Sequence, residues 1–197
     1  MNNNFTPDGS GYDTHLPILQ FIHNTIGTRY VFEYGTGAHS TGFFNSIGAV
    51  SVSCEMQDEN WFNEMYAKFG ETTDAVILKR IGEHAAIGEF YKQLELMPFK
   101  KYGIDLVFVD GHGSTRPECV LAALGKADTI VYHDSENEWY GWKERVYLSG
   151  RPELAEYDVF QFEQWHPQTT VLTRNVELSQ ALKALPHYTI NTVPAVK

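Results

Sequence analysis

A strand running into a glycine-bearing turn most constrains what this chain can fold into: Tyr30-Val31-Phe32 continues as Glu33-Tyr34-Gly35-Thr36-Gly37-Ala38-His39-Ser40-Thr41. An apolar run, two glycines and then a hydroxyl pair is the pattern of a β-strand turning into an α-helix at the ligand-binding edge of an α/β sheet. Gly35 and Gly37 tolerate positive φ and let the backbone approach a ligand with no Cβ in between. Ser40 and Thr41 stand where the helix begins and offers N–H groups that lack an intrahelical partner.

The acids around the turn narrow the ligand. Glu33 precedes the first glycine by two positions, and Glu55 closes the next apolar run, Ala49-Val50-Ser51-Val52-Ser53-Cys54. A carboxylate at the end of a second parallel strand can accept both hydroxyls of a ribose. A dinucleotide turn would read Gly-x-Gly-x-x-Gly, whereas Ser40 stands in the third glycine's place, and a carboxylate at Glu33 sits poorly beside a pyrophosphate. A sulfonium ligand carries no phosphate, and acids favour its positive charge.

On these residues the chain resembles class I S-adenosylmethionine-dependent methyltransferases, whose first motif is an acid followed by Gly-x-Gly and whose second strand ends in an acid. The resemblance implies S-adenosylmethionine as cofactor. Its binding residues would be Glu33, Tyr34, Gly35, Thr36, Gly37, Ser40, Thr41, Glu55 and Met56, with Glu83 and His84 near the adenine and Asp110 at the far end. The implied fold is an α/β, Rossmann-like three-layer sandwich. Its mostly parallel seven-stranded sheet has the order 3-2-1-4-5-7-6 and ends in an antiparallel C-terminal hairpin.

The rest of the sequence alternates in keeping with that fold. Apolar spacing predicts a helix near Thr14 to Ile22, strands at Tyr30–Glu33 and Val50–Cys54, and a helix capped by Asp58 that carries Trp61, Phe62, Met65, Tyr66 and Phe69, aromatics expected in the core. Ala75–Leu78 reads as a third strand, Gly88–Leu96 as a helix, and Leu106–Val109 as a central strand buried on both faces. Pro117 opens a further helix, Thr129–Tyr132 forms a fifth strand, and Tyr157–Phe162 with Thr169–Thr173, separated by a turn containing Pro167, make a hairpin. Residues 1–197 are expected to form one domain, with 1–29 as an N-terminal helical segment able to cover the site.

The chemistry should lie where strands four and five end. Strand four runs into Asp110-Gly111-His112-Gly113-Ser114-Thr115-Arg116 and strand five into His133-Asp134-Ser135-Glu136. Methyl transfer is an in-line displacement, so the protein mainly positions the acceptor and removes its proton. Asp110, His112, His133 and Asp134 are the candidate bases, and each is equally the kind of residue that caps backbone groups. Arg116, His15, Trp139 and Tyr140 are candidates for the acceptor; the aromatics could form a wall for a flat or sugar ring, or seal a helix onto the sheet.

Catechol-type O-methyltransferases place acidic metal ligands after the same two strands. Asp110 and Asp134 match the carboxylates, but Ser135 stands where those enzymes have asparagine and their lysine base has no counterpart, so a divalent metal is not favoured. The chain also resembles poorly characterised methyltransferase-like proteins of bacteria and large DNA viruses, through Gly11-Tyr12-Asp13-Thr14-His15-Leu16-Pro17, Val109-Asp110 and His133-Asp134-Ser135-Glu136 followed by Tyr140. That likeness implies a Thr14–Pro17 segment folded over cofactor or acceptor; the same residues would equally suit a simple helix cap.

Other classes lack their motifs. No Asp/Asn-Pro-Pro-Tyr/Phe follows strand four, there is no Gly-x-x-x-x-Gly-Lys-Ser/Thr loop, and there is no Gly-x-Ser-x-Gly elbow. A formal charge of −10 argues against bare nucleic acid as a partner. Cys54 and Cys119 read as small buried hydrophobes, and the opening Met1-Asn2-Asn3-Asn4 has neither the cationic start nor the apolar core of a secretion signal, so a cytoplasmic, membrane-free protein is expected. The function expected is O-methylation of a small-molecule or sugar hydroxyl. The alternative is a non-catalytic Rossmann-like module that binds the cofactor or a nucleoside, or a subunit of a larger assembly. Oligomeric state stays open.

Overall fold

Strands alternate with helices along most of the chain, and the computed structural model describes residues 13–70, 74–163 and 166–185. The strands are β1 (Tyr30–Tyr34), β2 (Val50–Glu55), β3 (Ala75–Lys79), β4 (Ile104–Val109), β5 (Ala127–His133), β6 (Asp158–Phe162) and β7 (Thr169–Thr173). They form one sheet in the order β3-β2-β1-β4-β5-β7-β6. β1 to β5 pair in parallel, and β7 runs antiparallel to both β5 and β6. This is an α/β, Rossmann-like three-layer sandwich with the strand order and closing hairpin that the sequence resemblance implies.

The helices are α1 (Leu16–Ile26), α2 (Ser40–Ser46), α3 (Glu59–Phe69), α4 (Glu83–Glu95), α5 (Phe99–Tyr102), α6 (Arg116–Ala123) and α7 (Val176–Lys183). From Leu106 to Val109 β4 is continuously apolar, because both its faces are covered there. Leu106 and Phe108 join Ile18, Leu19, Ile22, Phe44, Leu178 and Leu182 on one side, while Val107 and Val109 join Phe32, Tyr34, Phe90, Val120 and Tyr132 on the other. Successive side chains of a strand point to opposite faces, so one short segment closes two cores. Cys54 and Cys119 are buried free thiols. Among the described residues no helix is long and apolar enough to cross a membrane.

Several elements depart from the sequence reading. α4 begins at Glu83 rather than near Gly88, so Glu83 and His84 lie in its first turn instead of a loop. α1 does start beside Thr14, with His15 at its N-cap position and no side-chain cap bond, and the Thr14 hydroxyl donates across the molecule to the Pro167 carbonyl at 2.9 Å. α7 has no counterpart in the sequence reading; Asn175 caps it by accepting from the Leu178 N–H. Asp58 does cap α3, but of that helix only Met65 is buried, and Trp61 and Tyr66 are each 38% exposed rather than in the core. Gly11 and Tyr12 of the N-terminal motif lie outside the described residues.

Gly35 has φ +89°, and a Cβ there would lie 2.6 Å from the backbone of Gly111. Its missing side chain therefore lets the turn after β1 touch the turn after β4, a chain-to-chain requirement in addition to the ligand approach that the sequence suggested.

Candidate functional site

The carboxyl ends of β1, β2, β4 and β5 surround a cleft of about 670 Å³. Its first half is lined by Gly35, Thr36, Glu55, Gln57, Asp58 and Trp61. Glu55 is held rigidly: one carboxylate oxygen accepts from the backbone N–H groups of Gln57 (2.7 Å) and Asp58 (3.0 Å), the other from the Thr36 hydroxyl (2.6 Å). A carboxylate has about four acceptor sites, so capacity for a ligand hydroxyl remains. The Trp61 indole N–H donates to the Thr36 carbonyl at 2.6 Å, which fixes a flat ring at the cleft wall. The sequence reading missed Trp61, Asp58 and Gln57 as lining. The available signal was the cap itself, because a helix starting directly after β2 presents its first turn to the strand ends.

Glu33 lies behind this wall, fully buried. It accepts from Thr41 Oγ1 at 2.8 Å and Ser53 Oγ at 2.5 Å, and Thr41 Oγ1 in turn accepts from the Gly37 N–H at 3.0 Å. Glu33 and Thr41 thus brace the turn. Ser40 is buried beside them, Tyr34 packs on Phe32 and Phe90, the Met56 sulfur sits against Gly111, and Gly37, Glu83 and His84 also stand outside the lining.

Burial raises the Glu33 carboxyl from its ordinary 4.5 to about 7, against the opposing hydrogen bonds of Ser40, Ser53 and Thr41. A carboxyl pKa raised on folding contributes stability that is complete below about pH 4.5 and is lost as pH rises through about 7. Glu33→Gln should therefore match the wild type near pH 4 and exceed it by up to about 3 kcal/mol at pH 8. Urea midpoints measured across that range check this; a gap that does not widen with pH contradicts a neutral buried Glu33.

The second half of the cleft is lined by Asp110, Gly111, Arg116, His133, Asp134 and Pro167. Arg116, at the start of α6, is 7% exposed and organises it. Its guanidinium donates to the Gly111 carbonyl (2.7 Å), the His133 carbonyl (2.8 Å) and Asp134 Oδ2 (2.7 Å), and pairs with Asp110 Oδ1 (2.9 Å). Burial weakens its charge, but the two aspartates outweigh that and hold its pKa above the ordinary value. Asp110 is shifted upward by burial, with Arg116 opposing. Asp110 and Asp134, matched above to the carboxylate ligands of a metal, are thus joined by a guanidinium. Asp134 has φ +56°, uncommon for a residue with a side chain and consistent with a turn held for function.

His133 is 3% exposed; its Nδ1 lies 3.1 Å from Thr169 Oγ1 and its Nε2 3.6 Å from Asp134 Oδ1. His15 is 2% exposed, with its ring 4.7 Å from that of His133 and 4.9 Å from that of Phe108. Neither nitrogen of His15 has a hydrogen-bond partner among the described residues. An unsatisfied buried polar group costs about 1–3 kcal/mol, so an apolar residue would serve packing alone better. Burial lowers His15 to about 3, with His133 adding to the shift, and lowers His133 to about 4 against the pull of Asp134. Both rings are neutral at pH 7.

The remaining candidates divide. His112 is exposed, 3.1 Å from Ser114 Oγ, and outside the lining. Tyr140 stacks its ring 4.6 Å from the Arg116 guanidinium and covers Gly113, where any Cβ would collide with it. Trp139 is 87% exposed, and Trp142 is buried against Tyr132, so no continuous aromatic wall forms.

No family model and no curated protein matches the chain. Among solved structures it is similar to WbdD, at 15% identity over 81% of this chain and 40% of that one, with a TM-score of 0.48. It is also similar to the hMettl16 catalytic domain, solved with a MAT2A 3'UTR hairpin, at 12% identity over 92% and 73% with a TM-score of 0.49. A methyltransferase-like protein from Silicibacter pomeroyi DSS-3 aligns at 17% identity over 79% and 83%, with a TM-score of 0.45. The chain spans about two fifths of the length of WbdD.

Proposed function

We propose that the cleft binds S-adenosylmethionine and that the protein transfers its methyl group to a hydroxyl of a small molecule or sugar. One observation carries this reading: four carboxylates, Glu55, Asp58, Asp110 and Asp134, line the cleft against a single guanidinium, Arg116, which two of them already share. Such a surface attracts a sulfonium and an ammonium and repels a pyrophosphate. Glu55 accepts a ribose hydroxyl at the end of β2, and the Trp61 ring offers the adenine a flat face.

At the other end, Asp110, His133 and Asp134 bring carboxyl oxygens and a ring nitrogen to the cleft, groups of the kind that can take a proton from an acceptor that must lose one. In the reaction the carbon–sulfur bond breaks as the carbon–oxygen bond forms. S-adenosylhomocysteine leaves, and the hydroxyl proton passes to an acceptor group and then to water. Holding the two reactants in line is the protein's main contribution.

Calorimetry with S-adenosylmethionine, S-adenosylhomocysteine and NAD is the first test. Binding of either sulfur compound and not of NAD is expected, and NAD binding alone would overturn the assignment. A transfer assay over phenols, sugars and nucleosides follows. Activity unchanged in the Asp110→Ala, Asp134→Ala double variant would contradict the acceptor-end assignment, whereas cofactor binding with no transfer to any acceptor would point to a binding module.

A further inference from the structure

We propose that His15, Asp110 and His133 form a site for one divalent transition-metal ion, with zinc the best match, at the acceptor end of the cleft. One ligand atom from each residue lies within 4.8 Å of the other two. Donors bound to zinc at about 2.0–2.2 Å sit roughly 3.5 Å apart, so the three need to draw in by about 1 Å, which side-chain rotation supplies. His15 comes from the cap of α1, Asp110 from the end of β4 and His133 from the end of β5, so three separate elements converge on one point.

The surroundings are those of a ligand set. His15 is almost wholly buried with both ring nitrogens lacking a hydrogen bond among the described residues, which an ion would explain and packing does not. Each of the other two has an outer partner that fixes its orientation while leaving an atom available: Thr169 holds Nδ1 of His133, and Arg116 holds Oδ1 of Asp110. Metal-binding histidines and carboxylates are typically held in this way.

Charge permits the ion despite the nearby guanidinium, because Asp110 and Asp134 together outweigh Arg116 by one negative charge. Two imidazoles and one carboxylate suit zinc and its neighbours better than magnesium, which prefers oxygen. Asp110 and His133 line the cleft and His15 does not, so an open coordination position would face the acceptor. Polarisation of the acceptor hydroxyl by the ion rests on the methyl-transfer reading; binding of the ion does not.

The test uses the untagged 197-residue chain, stripped with chelator and titrated with zinc by calorimetry and with cobalt(II) by visible absorption, without S-adenosylmethionine. One ion per chain is expected, with cobalt(II) d–d bands of a low-coordinate site and, by NMR, paramagnetically shifted signals from two imidazoles. His15→Gln and His133→Gln should each weaken binding by more than the ~10–100-fold typical of losing an outer partner, while Glu95→Gln on the surface of α4 leaves it unchanged. Circular dichroism establishes whether each variant folds; if one does not, the shifted imidazole signals of the wild type decide. Absence of an ion from the wild type, absence of the two imidazole signals, or full affinity in folded His15→Gln overturns the site. An ion-free protein that still binds S-adenosylmethionine sinks this site alone, and an ion-binding protein that ignores S-adenosylmethionine sinks only the methyl-transfer reading.

Discussion

Arg116→Met should lower the unfolding free energy by about 3–5 kcal/mol, the usual consequence of deleting one partner of a buried ion pair. The guanidinium bonds two backbone carbonyls and two aspartates and carries the Tyr140 ring, all at once. Methionine fills comparable volume but leaves Asp110 and Asp134 facing each other with no counter-charge. The Asp110 carboxyl, which burial already shifts upward against the pull of Arg116, would then take up a proton more readily, so the deficit should be largest near neutral pH and shrink in acid. Arg116→Lys keeps the charge but not the planar fork, and should recover part of the loss. Chemical denaturation of the three proteins at pH 5 and pH 8 checks this. A Met variant as stable as the wild type at pH 8 would show that the guanidinium does not hold this corner together.

The second large effect is on ligand binding. Glu55→Ala removes the acid that faces the cleft at the end of β2, and with it the one acceptor site left for a ribose hydroxyl, worth about 1.5–3 kcal/mol as a charge-assisted bond. Calorimetry should show S-adenosylmethionine affinity reduced by about ten- to a hundredfold. The same carboxylate accepts from Thr36, Gln57 and Asp58, so its loss also frees the first turn of α3. Glu55→Gln separates these roles. It retains one acceptor oxygen but loses the charge, and it should bind the cofactor less well than the wild type and better than Glu55→Ala. Equal affinity in all three would exclude Glu55 from the cofactor site. Glu33, by contrast, reaches the ligand only through the loop it braces, so its substitution should act on stability more than on affinity.

Much of the architecture was legible in the chain because it rests on local periodicity. The apolar run Leu106–Val109 of β4 required a strand covered on both faces, the turn chemistry at Gly35 marked the end of β1, and Asp58 announced the start of α3. Paired runs around Pro167 likewise gave the hairpin of β6 and β7. Helix limits were less legible. α4 starts five residues before Gly88 because its first turn carries Glu83 and His84, polar residues that give no apolar signal.

The sequence by itself determined the α/β class, the strand order through its resemblance, and the acids at the ends of β2, β4 and β5, since these follow from patterns a few residues long. Only the tertiary structure decided which of those groups face one another. It turned Glu33 inward to brace the glycine turn, put Trp61 on the cleft wall, clamped Asp110 and Asp134 onto Arg116, and brought His15 from the N-terminal helix to within ring contact of His133. The physical reason is distance along the chain. His15 and His133 are separated by most of the molecule, and their contact is set by packing α1 onto a sheet face. No local pattern encodes that packing.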